Sequence, residues 1–207
     1  MEQILAWVLI ISFSILGVLF IVLIIAQLWY AKKDREELKP LAASLGGEYV
    51  TTKTGSYISL PNFDPNARLE LDDGGDDFPS YLLLSMPVAL DFNLDIAKQG
   101  RPEKVPSSDG RLEKNLRSKG QKADFSAEDP DFDQKYQVLS SHVDSAKKFL
   151  LTGDKRQALD AFFNDGFTWL RMEDGFIFVQ KPRYTASDLV PDKINYYMER
   201  LKKFAAT

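Results

Sequence analysis

The sequence has no cysteine and a single histidine, His142. Those two scarcities exclude a disulfide framework and any Cys/His zinc site within one chain, an HExxH helix included. Phosphate cradles are missing too. Gly46-Gly47 and Thr152-Gly153-Asp154-Lys155 lack the further glycines and the Gly-Lys-Ser/Thr ending of a P-loop, and neither G-x-G-x-x-G nor G-x-S-x-G occurs. Nor is there a basic excess: 26 Lys and Arg stand against 30 Asp and Glu, a net charge of −4. A nucleic-acid partner is excluded for want of the basic stripe it would require. Cofactor-binding, metal-ligating and catalytic sets are all expected to be absent.

The scarcity with the largest consequence is local. Ile4–Leu28 carries no charge, and Leu, Ile, Val and Phe fill 18 of its 25 positions. At about −0.3 to −0.6 kcal/mol each on an insertion scale, they sum to roughly −5 to −10 kcal/mol, against smaller costs for Ser12, Ser14 and Gln27. As one helix the run would measure about 37 Å, more than a hydrocarbon core of about 30 Å. Trp7 near one end and Trp29-Tyr30 at the other stand where aromatic belts form. No basic residue precedes the run, and the apolar core is too long for a cleaved signal peptide. The expectation is an N-terminal transmembrane helix, residues 1–31, serving as an anchor.

Its orientation follows from the flanks. Lys32, Lys33, Arg35 and Lys39 follow the run and no Lys or Arg precedes it. The positive-inside rule then expects the N-terminus outside and the remaining domain in the cytoplasm, at the inner membrane if the source is bacterial. Ser14 and Gly17 are small residues against which a second helix could pack.

Residues 32–207 are long enough for one domain with its own core and too short for two comfortable ones. Leu38, Leu41, Ala42 and Leu45 recur at helical spacing, interrupted by Pro40 and ended by Gly46-Gly47. Glu48–Thr51 and Ser56–Leu60 read as a hairpin, Arg68–Leu71 as a strand before the acidic turn Asp72–Asp77, and Tyr81–Met86 as a buried strand. Leu90, Phe92, Leu94 and Ile96 alternate with polar residues, the mark of a half-buried strand.

From about 98 to 133 the pattern reads as a long polar loop. Its first part is basic, with Lys98, Arg101, Lys104, Arg111, Lys114 and Arg117 as possible contacts to an anionic surface. Its end is acidic, and Asp129, Asp131 and Asp133 share the spacing that opens a calcium loop. Gln134 stands where that loop needs Gly and Ser140 where it needs Glu, so a solvated acidic turn is preferred.

Beyond it, Tyr136–Ser140 reads as a strand. Ser141 and Asp144 stand at capping-box spacing before a helix whose inner face is Val143, Ala146, Phe149 and Leu150. A second helix follows, which Asp154 and Gln157 are expected to cap, with Ala158, Leu159, Phe162 and Phe163 inward. Thr168–Met172 and Phe176–Gln180 flank Glu173-Asp174-Gly175, the strongest hairpin signal in the chain. The last helix carries Val190, Ile194, Tyr197, Met198, Leu201, Phe204 and Ala205 on one stripe, with Pro191 in its first turn. His142, beside two serines but at a helix start where neighbours diverge, reads as a surface or capping residue. The fold expected is α+β: the anchor, then an antiparallel sheet, paired helices and an amphipathic C-terminal helix.

Around Asp131-Phe132-Asp133-Gln134-Lys135-Tyr136-Gln137-Val138 and Phe149-Leu150-Leu151-Thr152, the sequence resembles uncharacterised bacterial single-pass membrane-anchored proteins of unknown function. The resemblance covers about 128–205. It implies an Asp-anchored strand, a helix ending in a Leu-Leu-Thr-like step, a hairpin and a terminal helix, and it implies no catalytic residue.

Together these readings favour a non-catalytic, membrane-anchored interaction module, an accessory subunit or scaffold whose partners are the bilayer and a membrane protein. The alternative is a lipid or small-ligand sensing domain at the membrane surface, with an anchored hydrolase behind it.

Overall fold

A computed structural model describes residues 15–23, 38–52, 55–72, 79–90, 92–99, 123–124, 126, 129–152 and 154–206. The chain divides into two units, Met1–Pro40 and Leu41–Thr207, each taken by itself. In the first unit, 15–23 form a helix, α1, and a second helix, α2, covers 38–44 and runs through Pro40 into the second unit.

The expected spanning helix is corrected here. Among the described residues no helix is long and apolar enough to cross a membrane. The expectation rested on a hydropathy sum, which counts apolar residues and does not itself specify helix length. The single-pass topology, with its outside N-terminus and cytoplasmic domain, loses its support with the helix that carried it.

The second unit is α+β. Among the described residues its nine strands are β1 (Glu48–Thr51), β2 (Ser56–Ser59), β3 (Arg68–Asp72), β4 (Tyr81–Pro87), β5 (Leu94–Lys98), β6 (Ala123–Asp124), β7 (Tyr136–Ser140), β8 (Trp169–Glu173) and β9 (Phe176–Pro182). They form one sheet in the order β1-β2-β3-β4-β9-β8-β5-β7-β6, every neighbouring pair antiparallel. The helices are α3 (Pro130–Lys135), α4 (Val143–Leu151), α5 (Lys155–Asn164) and α6 (Pro191–Ala205), with a single 3-10 turn at Ala186–Asp188.

Register explains the core. Ile58, Leu69, Leu84, Val179, Leu170, Ile96 and Val138 are paired strand to strand across β2, β3, β4, β9, β8, β5 and β7, and all seven are buried. Side chains two residues apart share a face, so Leu82, Ile177, Met172 and Leu94 extend this row into a continuous apolar surface, also buried.

Tyr136, two residues before Val138, points to the same side. Its ring stacks on Phe163 of α5 at 4.8 Å and lies 5.0 Å from Phe132 of α3. Phe149 of α4 meets Phe92 at 5.8 Å, on the β5 side, and Phe204 of α6 at 5.4 Å. Phe167 ties α5 to α6 edge-on, 5.3 Å from Phe162 and 4.9 Å from Tyr197. The helices α3 to α6 therefore share one face of the sheet through an aromatic layer, in which each edge-on pair contributes about 0.5–1.5 kcal/mol beyond its buried area.

The β8–β9 hairpin turns at Asp174 (φ 51°) and Gly175 (φ 78°), the two left-handed residues that a two-residue turn between twisted strands demands. Elsewhere the boundaries shift. Of the alternating residues Leu90, Phe92, Leu94 and Ile96, only the last two lie in a strand, β5 beginning at Leu94. Within the stretch read as a polar loop, β6 and α3 appear. Val190, expected on the inner stripe of α6, is its N-cap and 46% exposed.

Two substitutions test the packing. A Cβ on Gly47 would lie 1.8 Å from the Ser59 carbonyl oxygen, so Gly47→Ala forces backbone movement and is expected to cost about 1–3 kcal/mol. Leu84→Ala opens a hole at mid-sheet and is expected to cost about 2–5 kcal/mol. Urea unfolding monitored by circular dichroism reads both.

Candidate functional site

Helix α1 is apolar on every side. Ile15, Leu16, Val18, Leu19, Phe20, Ile21, Val22 and Leu23 are between 55% and 68% exposed. A helix that docks on a domain shows one apolar stripe and a polar back; here no polar back exists. Gly17 sits within it with open space where a Cβ would go, so the small-residue position is available to a neighbour. Of the other residues expected at the anchor, Trp7, Ser14, Trp29, Tyr30, Lys32, Lys33 and Arg35 lie outside the described residues.

The basic run divides. Lys98, at the end of β5, donates from Nζ to the Phe163 carbonyl oxygen at 2.9 Å and lies 5.9 Å from that ring's centroid. The register predicts this, since Lys98 shares the face of Ile96, the helix-covered one. Its ammonium is committed to α5. Arg101, Lys104, Arg111, Lys114 and Arg117 lie outside the described residues, as does most of the acidic turn at 72–77.

Asp129 is a helix cap. Its Oδ1 accepts from the backbone N–H groups of Asp131 at 3.1 Å and Phe132 at 3.2 Å, and its Oδ2 from Arg156 at 2.6 Å. Such a carboxylate satisfies donors that a helix start leaves orphaned. Asp133 accepts from the Ser126 hydroxyl at 2.5 Å. The calcium-like spacing has thus folded into capping, and no group of three or more potential metal ligands occurs among the described residues. His142 is exposed at the N-cap position of α4, makes no side-chain capping bond there, and has Nδ1 3.0 Å from the Ser141 hydroxyl.

Sequence reasoning missed the charged cluster on the other sheet face. Arg68, Ser85, Phe178, Arg171, Asp95 and Leu139 form a row there, in register. Arg171, only 3% exposed, donates to Asp95 from Nε at 2.5 Å and from Nη2 at 3.3 Å. Its guanidinium lies 4.5 Å from the Trp169 ring centroid. Nη1 is buried without a hydrogen-bond partner, and the Glu173 carboxylate is 3.7 Å away. The one available signal was a period-two pattern in Trp169–Glu173 that put Arg171 between apolar neighbours; its partner 76 residues away could not be read from spacing.

A second buried cluster lies on the helix side. Asp188, at the end of the 3-10 turn, meets Lys181 at 2.7 Å and Lys193 at 3.2 Å, and accepts from the Thr185 backbone N–H at 3.0 Å. Burial pushes its carboxyl up, but the hydrogen bonds from Lys181, Thr185 and Lys193 outweigh that and bring it down to about 2. Lys155, buried at the start of α5, gives its ammonium to the carbonyls of Lys203, Phe204 and Ala206 at the end of α6. Burial lowers its pKa. Tyr136 donates to Asp160 at 2.5 Å, and burial together with that carboxylate raises its pKa. In each cluster the charge is spent on joining elements of the fold.

No protein-family model matches the chain, and no curated protein matches it. Among solved structures it is similar to the crystal structure of the mycobacterial trehalose monomycolate transport factor A, at 13% identity and a TM-score of 0.47, over 80% of this chain and 90% of that one.

Asp188 makes stability pH-dependent. Its folded value lies below the ordinary aspartate value of 3.8, so its contribution is complete above that value and is lost as pH falls through about 2. Unfolding free energies between pH 5 and pH 2 are expected to fall by about 2 kcal/mol more in the native sequence than in Asp188→Asn. In the other cluster, Asp95→Leu strands a buried guanidinium and is expected to cost about 3–5 kcal/mol, part of which Arg171→Met added to it restores. A double-mutant cycle in urea measures both.

Proposed function

We propose that this chain is a non-catalytic interaction protein that works in association with a membrane, as an accessory subunit or scaffold for a membrane-protein partner. One observation carries the reading: eight large apolar side chains among the described residues of helix α1, 15–23, stand in the open. Covering a Leu, Ile, Val or Phe side chain is worth about 1.5–3 kcal/mol, so an apolar surrounding for all eight gains on the order of 10 kcal/mol. Exposed apolar surface of that kind marks protein or membrane interaction. Lipid acyl chains or the apolar helices of a membrane protein would surround α1 on every side, which a single flat docking surface cannot do.

The domain supports the same reading from the other direction. Asp95 with Arg171, Asp129 with Arg156, and Asp188 with Lys181 and Lys193 are paired with one another. Charges paired in this way stiffen a body that presents surfaces.

Flotation of the full chain on neutral phosphatidylcholine vesicles, after detergent removal, tests it. The chain is expected to float equally at low and high salt, because the attraction is apolar and unscreened. Leu16→Asp with Phe20→Asp places two charges on one side of α1, each costing about 2.5–3.5 kcal/mol in an apolar centre, and is expected to leave the protein at the bottom with its circular dichroism unchanged. A native chain that stays monodisperse at the bottom of the gradient overturns the reading.

A further inference from the structure

No further inference is drawn: the strongest candidate, the buried Asp95–Arg171–Glu173 cluster on the sheet face away from the helices, leaves Arg171 Nη1 without an acceptor, but nothing among the described residues shows what covers that face.

Discussion

The domain depends on one line of contact: the apolar row from Ile58 to Val138, which crosses seven strands with no polar residue in it. Each member is paired with the next, so a slip of one residue in any strand would turn its entire apolar set to the opposite face. The aromatic layer beneath α3 to α6 rests on that row. Phe132, Tyr136, Phe163, Phe162, Phe167, Tyr197, Phe204 and Phe149 form a chain of ring contacts with two gaps, between Phe163 and Phe162 and between Tyr197 and Phe204. Phe163 and Phe162 are adjacent in α5, and Phe204 and Tyr197 share α6, so the helices themselves complete the belt.

Charges are then used where that packing would leave polar ends unsatisfied. The carbonyls at the end of α6 face inward and would lack donors; the Lys155 ammonium supplies them from the first turn of α5 and lies 4.7 Å from the Phe149 ring centroid. A cation at a helix C-terminus is also favoured by the helix dipole. The N-terminal side of α6 is held by Asp188, which gathers Lys181 from β9 and Lys193 from the helix. One helix is thus gripped at both ends by buried or half-buried lysines, one donating to carbonyls and two to a carboxylate. The far sheet face solves a different problem: Arg171 and Asp95, opposite one another on β8 and β5, form a two-pronged pair whose separate members would be costly to bury.

Much of this was legible in the chain before any coordinates. The strands Glu48–Thr51 and Tyr136–Ser140 carry the bounds their patterns predict, and the Asp174-Gly175 turn, the Pro191 start of α6 and the inner faces of α4 and α5 follow from local rules. These are features in which side-chain period and backbone stereochemistry act within a few residues. The hidden features are those whose partners are distant. A two-residue strand such as β6 has no periodicity to detect. Arg171 and Asp95 are 76 residues apart, and Lys155 and Phe204 are 49 apart. Asp129 reads from its spacing as part of a solvated acidic turn, and its capping of α3 and its pair with Arg156 are visible only in the fold.

The amino-acid order alone determined that the chain holds a long uncharged N-terminal run, that the rest is an antiparallel α+β domain, and that no Cys/His metal chemistry is open to it, because composition and short-range periodicity settle such questions. Tertiary structure decided which strands are neighbours, that Lys98 turns inward to α5, and which charges are buried together. Among the described residues no helix is long and apolar enough to cross a membrane, a matter of helix length that a hydropathy sum over residues does not report.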